Sequence, residues 1–344
     1  MDQSRAAVLF ELGKPLNLIT LTLPKLQTGQ VLVDVAYSGI CHTQLLEIQG
    51  KRGQDPYLPH TLGHEGSGVV IEVGPGVTKI KPGDHVVLTW IKGNGMDIPR
   101  VIYKSEHCDI NSGAISTFMQ RTIISENRVV RIPKEMPLRE AALLGCAVPT
   151  GAGIVLNSLK MTPGQSIAIW GVGGIGLSAV LCASMVGASE IFAIDIHKHK
   201  LDQAGSLGAT RLINASCEDA NEIIQKVTKG RGVDFSIEAA GTKTTMESSF
   251  QCVRDGGGIC VLAGNLPKGE KISIDPFNLI RGKRIIGTWG GETDPDRDIP
   301  KYVELFNQGK LKLNKLVTHE YTLENVNQAL NSLEKGDIGR ALIH

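Results

Sequence analysis

The hydrophobic and polar positions follow two different rules along this chain. In the first part, short apolar runs alternate with polar residues and stop at glycine or proline. "QVLVDVAYSG" (30–39), "GVVIEVG" (68–74) and "GDHVVLTW" (83–90) have this form, which predicts short strands at a density suited to a small barrel or sandwich. From about Pro149 the pattern changes. "SIAIWG" (166–171) predicts a strand and "GIGLSAVLCASMVGA" (174–188) a helix. "EIFAIDI" (190–196), "RLIN" (211–214), "VDFSIEAAG" (233–241) and "GICVLAG" (258–264) continue as strands. Helical segments "KLDQAGSLGA" (200–209), "ANEIIQKVTKG" (220–230) and "TMESSFQCVRDGG" (245–257) lie between them. Such alternation predicts a parallel, doubly wound sheet. Two more helices, "PKYVELFNQGKL" (300–311) and "LENVNQALNSLEKG" (323–336), are expected to return to the first domain.

Length agrees with two domains, since 344 residues exceed what one core usually organises. The net charge is +1, with no excess of either sign to suggest nucleic acid or a membrane surface as partner. Residues 161–189 carry no charge, but Pro163 and several glycines make them a strand, a turn and a helix, not a span. The N-terminal stretch has no apolar core long enough for a signal peptide. Seven cysteines, with no C-x-x-C pair, read as thiols in a reducing compartment, so a cytoplasmic location is expected.

Gly171, Gly173 and Gly176 stand in G-x-G-x-x-G spacing, with Gly174 beside them, after an apolar strand and at the start of a helix. Asp195 ends the next strand, 19 residues after Gly176. A dinucleotide site needs this arrangement. Glycine allows the turn and the approach of the pyrophosphate, the helix N-terminus receives its charge, and the carboxylate bonds the adenosine ribose. That carboxylate would repel a 2′-phosphate, so NAD is expected over NADP. Cys41, His64 and Cys146 form a second candidate set. Two thiolates and an imidazole with one open position suit catalytic zinc, provided the fold brings them together.

"GHEGSGVVIEVGPGV" (63–77), with "SGICHT", "KPGDHV", "LLGCAVPTGAG" and "GVGGIG", resembles the zinc-containing alcohol dehydrogenases of the medium-chain dehydrogenase family over nearly the whole chain. The resemblance implies an α/β protein: a GroES-like, β-rich catalytic domain (1–148 and 292–344) and a Rossmann domain (149–291). It implies one catalytic zinc per chain on Cys41, His64 and Cys146, with Glu65 at or near the metal as an exchanging fourth ligand. Thr43 would take the substrate's proton, and Thr150 would contact the nicotinamide. His42 and Arg340 would meet the pyrophosphate, and Lys200 would lie near the adenosine ribose beside Asp195. The partners implied are a small alcohol or carbonyl compound and further copies of the chain. "RIIGTWGG" (284–291) would be the edge through which a homodimer or homotetramer pairs.

Three departures from the family pattern matter. Many members carry four cysteines for a structural zinc after "GDHVV"; this chain has only Cys108 there, so no structural zinc is expected and other contacts must hold the loop. Gln44 stands where the family often has an aspartate supporting the zinc-bound histidine. Leu46 stands near where some members have a histidine that relays the proton, which leaves water or His42. Trp90, Asp97, Arg100, Lys104 and Glu106 make one stretch of the expected pocket polar enough for a polyol or sugar. A zinc-free enone or quinone reductase and a non-catalytic NAD-binding regulator are the other readings. The three-ligand set argues against both.

Overall fold

The computed structural model describes residues 2–344. They form two compact units, 2–146 with 294–309 and 317–344, and 147–293 with 310–316. The break at 146/147 falls just after Cys146. Residues 310–316, which the sequence pattern assigns to the first unit, group with the second. There the Gln203 amide donates to the carbonyls of Lys315 (3.0 Å) and Leu316 (3.4 Å).

In the first unit, strands Gln3–Leu9, Asn17–Thr22, Ile102–Lys104, Asp109–Asn111 and His60–Thr61 close into a small barrel. A seven-stranded sheet runs Val129–Ile132, His85–Thr89, Glu65–Val73, Gln30–Gly39, Arg340–Ile343 and Val317–Tyr321, with Arg121–Ser125 also on Gln30–Gly39. Its alternating residues Val31, Val33, Val70, Val86 and Leu88 point into one apolar cluster, as the period-2 pattern requires. Register positions the chemistry. Ser38 pairs with Gly66 on one side and Ile343 on the other, which brings 39–41, 64–65 and Arg340 to one end of the sheet.

The second unit holds a parallel six-stranded sheet in the order Arg211–Asn214, Glu190–Asp195, Ser166–Trp170, Phe235–Glu238, Ile259–Leu262, Arg284–Gly287. This is the doubly wound order 3-2-1-4-5-6. Ser166–Trp170 is buried along its whole length, as a central parallel strand must be. Helix Gly174–Val186 ends at Gly187, whose φ of 88° is the left-handed cap that glycine adopts without strain.

Two elements differ from the sequence pattern. Pro300 reads as a helix start, because proline suits the first turn. The helix instead runs Pro295–Asn307, capped by the Asp294 side chain on the Asp296 N–H, with Pro300 inside it. Residues 138–158, without a strong period, fold as consecutive short helical segments. Among the described residues, no single helix is long and apolar enough to cross a membrane.

Candidate metal centre and dinucleotide turn

Strand Gln30–Gly39 ends just before Cys41, which caps helix His42–Ile48. His64 immediately precedes strand Glu65–Val73, and Cys146 follows the 3₁₀ turn Ala142–Gly145. These three elements bring Cys41 Sγ, a His64 ring nitrogen and Cys146 Sγ within 4.8 Å of one another. Gly145 is required for this. A Cβ there would strike the Leu88 carbonyl and the Glu65 backbone. Cys146 is buried, while Cys41 and His64 are half-buried, so the cluster has an accessible side. The Cys41 thiol lies well below its ordinary pKa. Its hydrogen bond with Cys146 is the main cause, acting against burial and helped by His64 and the Arg340 charge. Two thiols sharing a proton beside an imidazole form a donor set that fits a zinc ion.

Gln44 is buried beneath this cluster. Its Oε1 accepts the Cys41 N–H at 2.8 Å, and its Nε2 contacts His64 Nδ1. An imidazole that ligates through its other nitrogen must carry its proton on Nδ1, and that proton needs an acceptor. A half-turn of the amide supplies one but takes the acceptor from Cys41. A carboxylate would serve both donors at once; an amide serves one.

Glu65 is fully buried, and its carboxylate pairs with the Arg340 guanidinium instead of joining the thiols and imidazole. Arg340 also donates to the Ile40 carbonyl at 2.6 Å. Gly39 makes room for this pair, because a Cβ there would run into the Glu65 carboxylate. Arg340, expected at a pyrophosphate, is thus held on its own unit beside the thiol cluster. The Thr43 hydroxyl is 3.6 Å from Cys41 Sγ. His42 is exposed at the start of the same helix.

In the second unit the glycine turn divides its labour. A Cβ at Gly171 would meet Ala240, and one at Gly176 would meet the Gly171 carbonyl, so these two are needed for packing. A Cβ at Gly173 would meet nothing within 4 Å, which leaves open space before helix Gly174–Val186 where a pyrophosphate fits. Asp195 accepts the Val172 N–H and the His197 N–H, each at 3.0 Å, tying the turn to the end of the second strand. Lys200 is largely buried on helix Lys198–Ser206, and Thr150 is buried in Ala147–Gly153. The tie between Asp195 and Val172 was not legible in the sequence, because the spacing suggests a ligand contact and says nothing of the turn's own amides.

Hydrogen bonds from Met96 and Asn94 tie the start of the loop that carries Cys108. Glu126 accepts the N–H of Thr78 (2.7 Å), Lys79 (2.9 Å) and Met96 (2.9 Å). Burial opposes its charge, but the three amides outweigh it and hold the carboxyl below the ordinary glutamate range. Asp296 pairs with Lys79 at 2.5 Å and accepts the Asn94 N–H. Cys108 is exposed and bonded to Ser105. Three of the polar residues expected at the pocket are engaged by neighbours outside that set: Asp97 pairs with Lys92, Lys104 with the exposed Asp109, and Arg100 lies over the Tyr57 ring at 4.0 Å.

Residues 27–134 match the alcohol dehydrogenase GroES-like domain, and residues 174–308 match the zinc-binding dehydrogenase domain. S-(hydroxymethyl)glutathione dehydrogenase of Synechocystis sp. is 35% identical, over 99% of this chain and 100% of its own. Alcohol dehydrogenase 2 of Zea mays is 34% identical, over 98% and 96%. The crystal structure of benzyl alcohol dehydrogenase from Acinetobacter calcoaceticus superposes with a TM-score of 0.90 at 32% identity, over 100% of this chain and 99% of that one.

Proposed function

The chain belongs to the zinc-type alcohol dehydrogenases of the medium-chain family, and we propose that it transfers a hydride between an alcohol and NAD, with one zinc per chain on Cys41, His64 and Cys146. The observation that carries this reading is the convergence of the three donors within 4.8 Å, with an accessible side. When bound, zinc supplies a Lewis acid that makes the alcohol more acidic, and NAD supplies the hydride acceptor. Thr43, beside Cys41 Sγ, takes the alcohol's proton. His42, exposed next to it, offers the onward path that Leu46 cannot. Gln44 orients His64, and the Glu65–Arg340 pair puts a buried carboxylate within one residue of a ligand. Glu65 could serve as an exchanging ligand only by leaving Arg340.

In the cofactor unit, Gly171, Gly173, Gly174 and Gly176 form the pyrophosphate turn, Asp195 and Lys200 meet the adenosine ribose, and Thr150 meets the nicotinamide. The remaining lone pairs of Asp195 accept from both ribose hydroxyls and repel a 2′-phosphate, which supports NAD. The substrate is an alcohol, with polyols and sugars as the class to test first. Strand Arg284–Gly287 lies at the sheet edge with one neighbour. Ile280 and Trp289, 77% and 75% exposed, lie nearby in sequence and support pairing of copies there, as dimer or tetramer. All seven cysteines are free of disulfides, which supports a cytoplasmic location.

The test is metal content by elemental mass spectrometry on chelator-free protein, run with an NAD and NADP reduction assay over aliphatic, benzylic, polyol and sugar alcohols. About one zinc per chain with NAD-dependent turnover is the expected result. Zinc-free protein that reduces enones, or zinc-loaded protein that turns over no alcohol, would overturn the reading.

A further inference from the structure

Away from the thiol cluster, three other side chains of the first unit converge. Glu47 lies near the end of helix His42–Ile48, Asp55 lies in the loop that follows, and His60 opens strand His60–Thr61. One carboxylate oxygen from each acid and one ring nitrogen lie within 4.8 Å of one another.

The hydrogen bonding of His60 shows what the cluster lacks. The imidazole is 5% exposed, and its Nδ1 is 3.0 Å from the Thr61 carbonyl, an atom that only accepts. The ring proton of the neutral imidazole therefore belongs on Nδ1, and Nε2 holds a lone pair. That lone pair faces Asp55 Oδ2 at 2.7 Å, also an acceptor. Two acceptors so close, one of them nine-tenths buried, need a cation at their position. A proton, on the ring or on the Asp55 carboxyl, or a metal ion can fill that place. Asp55 cannot turn away freely, since its Oδ1 accepts the Tyr57 N–H at 2.9 Å. The Tyr57 carbonyl in turn accepts from Asn111 Nδ2 at 2.8 Å, so the loop has a set course. Glu47 adds another unmet charge. Burial pushes its carboxyl above the ordinary glutamate range, and His60 and Arg52 do not offset this.

We propose that Glu47, Asp55 and His60 form a second divalent-metal site, separate from Cys41, His64 and Cys146. Its donor set is one imidazole and two carboxylates, without sulfur. It suits a first-row ion harder than the thiol cluster prefers, such as Mn²⁺. His60 has the arrangement common to ligating histidines, with its other N–H given to a backbone carbonyl. The bound ion would neutralise both carboxylates. It would also tie the far end of the helix that begins after Cys41 to the strand that precedes His64. The site is thus a clamp on the loop between two segments that carry zinc ligands, and it takes no part in hydride transfer.

The test uses the full-length, zinc-loaded protein, titrated with Mn²⁺ and followed by electron paramagnetic resonance. The expected result is saturable uptake of about one Mn²⁺ per chain with zinc retained, because Mn²⁺ does not displace zinc from thiolates. Asp55→Asn and His60→Gln weaken Mn²⁺ binding by ~10-fold or more. Cys146→Ser removes zinc and leaves Mn²⁺ uptake unchanged, which separates this site from the proposed catalytic one. If His60→Gln does not fold, Glu47→Gln, a change at a half-buried helix position, gives the same readout. No saturable uptake below about 1 mM, the weak end for protein-built cation sites, would overturn the proposal and leave a proton between His60 and Asp55. Uptake undiminished in both Asp55→Asn and Glu47→Gln would overturn it as well.

Discussion

Cys41, His64 and Cys146 on one side and Glu126 on the other are two polar centres of the same unit, and they solve opposite problems. Glu126 is complete within the chain. Three backbone N–H groups meet its carboxylate, and these contacts tie Met96, in the loop that carries Cys108, to the turn at Thr78 and Lys79. The thiol cluster is not complete. Its thiols and imidazole share protons among themselves, and the Arg340 guanidinium that helps lower the Cys41 thiol is already paired with the Glu65 carboxylate. A polar group that its own backbone satisfies is a structural tie, and a convergence of two thiols and an imidazole whose neighbouring cation is already paired suits an ion from outside. Asp195 stands between these cases: two backbone amides use part of its capacity and leave lone pairs for a ligand.

Removing one donor from each centre breaks the comparison most sharply. Cys146→Ser should lose zinc and lower alcohol turnover by about three orders of magnitude, with the fold kept, as metal analysis, steady-state rates and circular dichroism would report. Glu126→Gln should do the reverse. An amide oxygen cannot replace two carboxylate oxygens, so stability should fall by roughly 2–4 kcal/mol with zinc content unchanged, measured by denaturant unfolding. The pH dependence has a definite sign. The Glu126 carboxyl is depressed in the folded state, so its contribution is complete above the unfolded glutamate pKa of about 4.3 and is lost as pH falls through the lower folded value. The gap between wild type and Glu126→Gln should be constant above about pH 5 and close in the acid range.

Asp195→Asn sharpens the intermediate case. It removes the charge and one amide acceptor, so the proposed preference for NAD over NADP in kcat/KM should shrink about tenfold or more, with a small loss of stability. Gln44→Glu has the smallest expected effect. A carboxylate can accept both the Cys41 N–H and the His64 N–H, so zinc should bind about tenfold tighter in competition with a chelator. Unchanged zinc affinity would mean that the single acceptor of Gln44 places no limit on His64.

The two folding patterns were legible in the sequence because period-2 and period-3.6 apolar spacing depend only on local geometry. The glycine turn was legible for the same reason, since only glycine tolerates the close approach at Gly171 and Gly176. The helix 295–307 was misjudged at its start. Pro300 and the Asp294–Pro295 pair both carry local start signals, and the fold uses the earlier one. The Glu65–Arg340 pair was not legible at all. Each residue has a local motif of its own, but their meeting depends on the pairing of strand Arg340–Ile343 with Gln30–Gly39.

The sequence by itself determined the two-unit α/β class, the three candidate metal donors and the glycine turn with its aspartate, because each is written in residue types whose geometry or chemistry few others can supply. The tertiary structure alone decided how each charge is compensated: Arg340 against Glu65, three amides around Glu126, Gln44 between Cys41 and His64, and His60 against Asp55 with Glu47 beside them. Compensation is a matter of distance across strands and loops, and spacing along a chain does not encode distance between residues that the fold brings together.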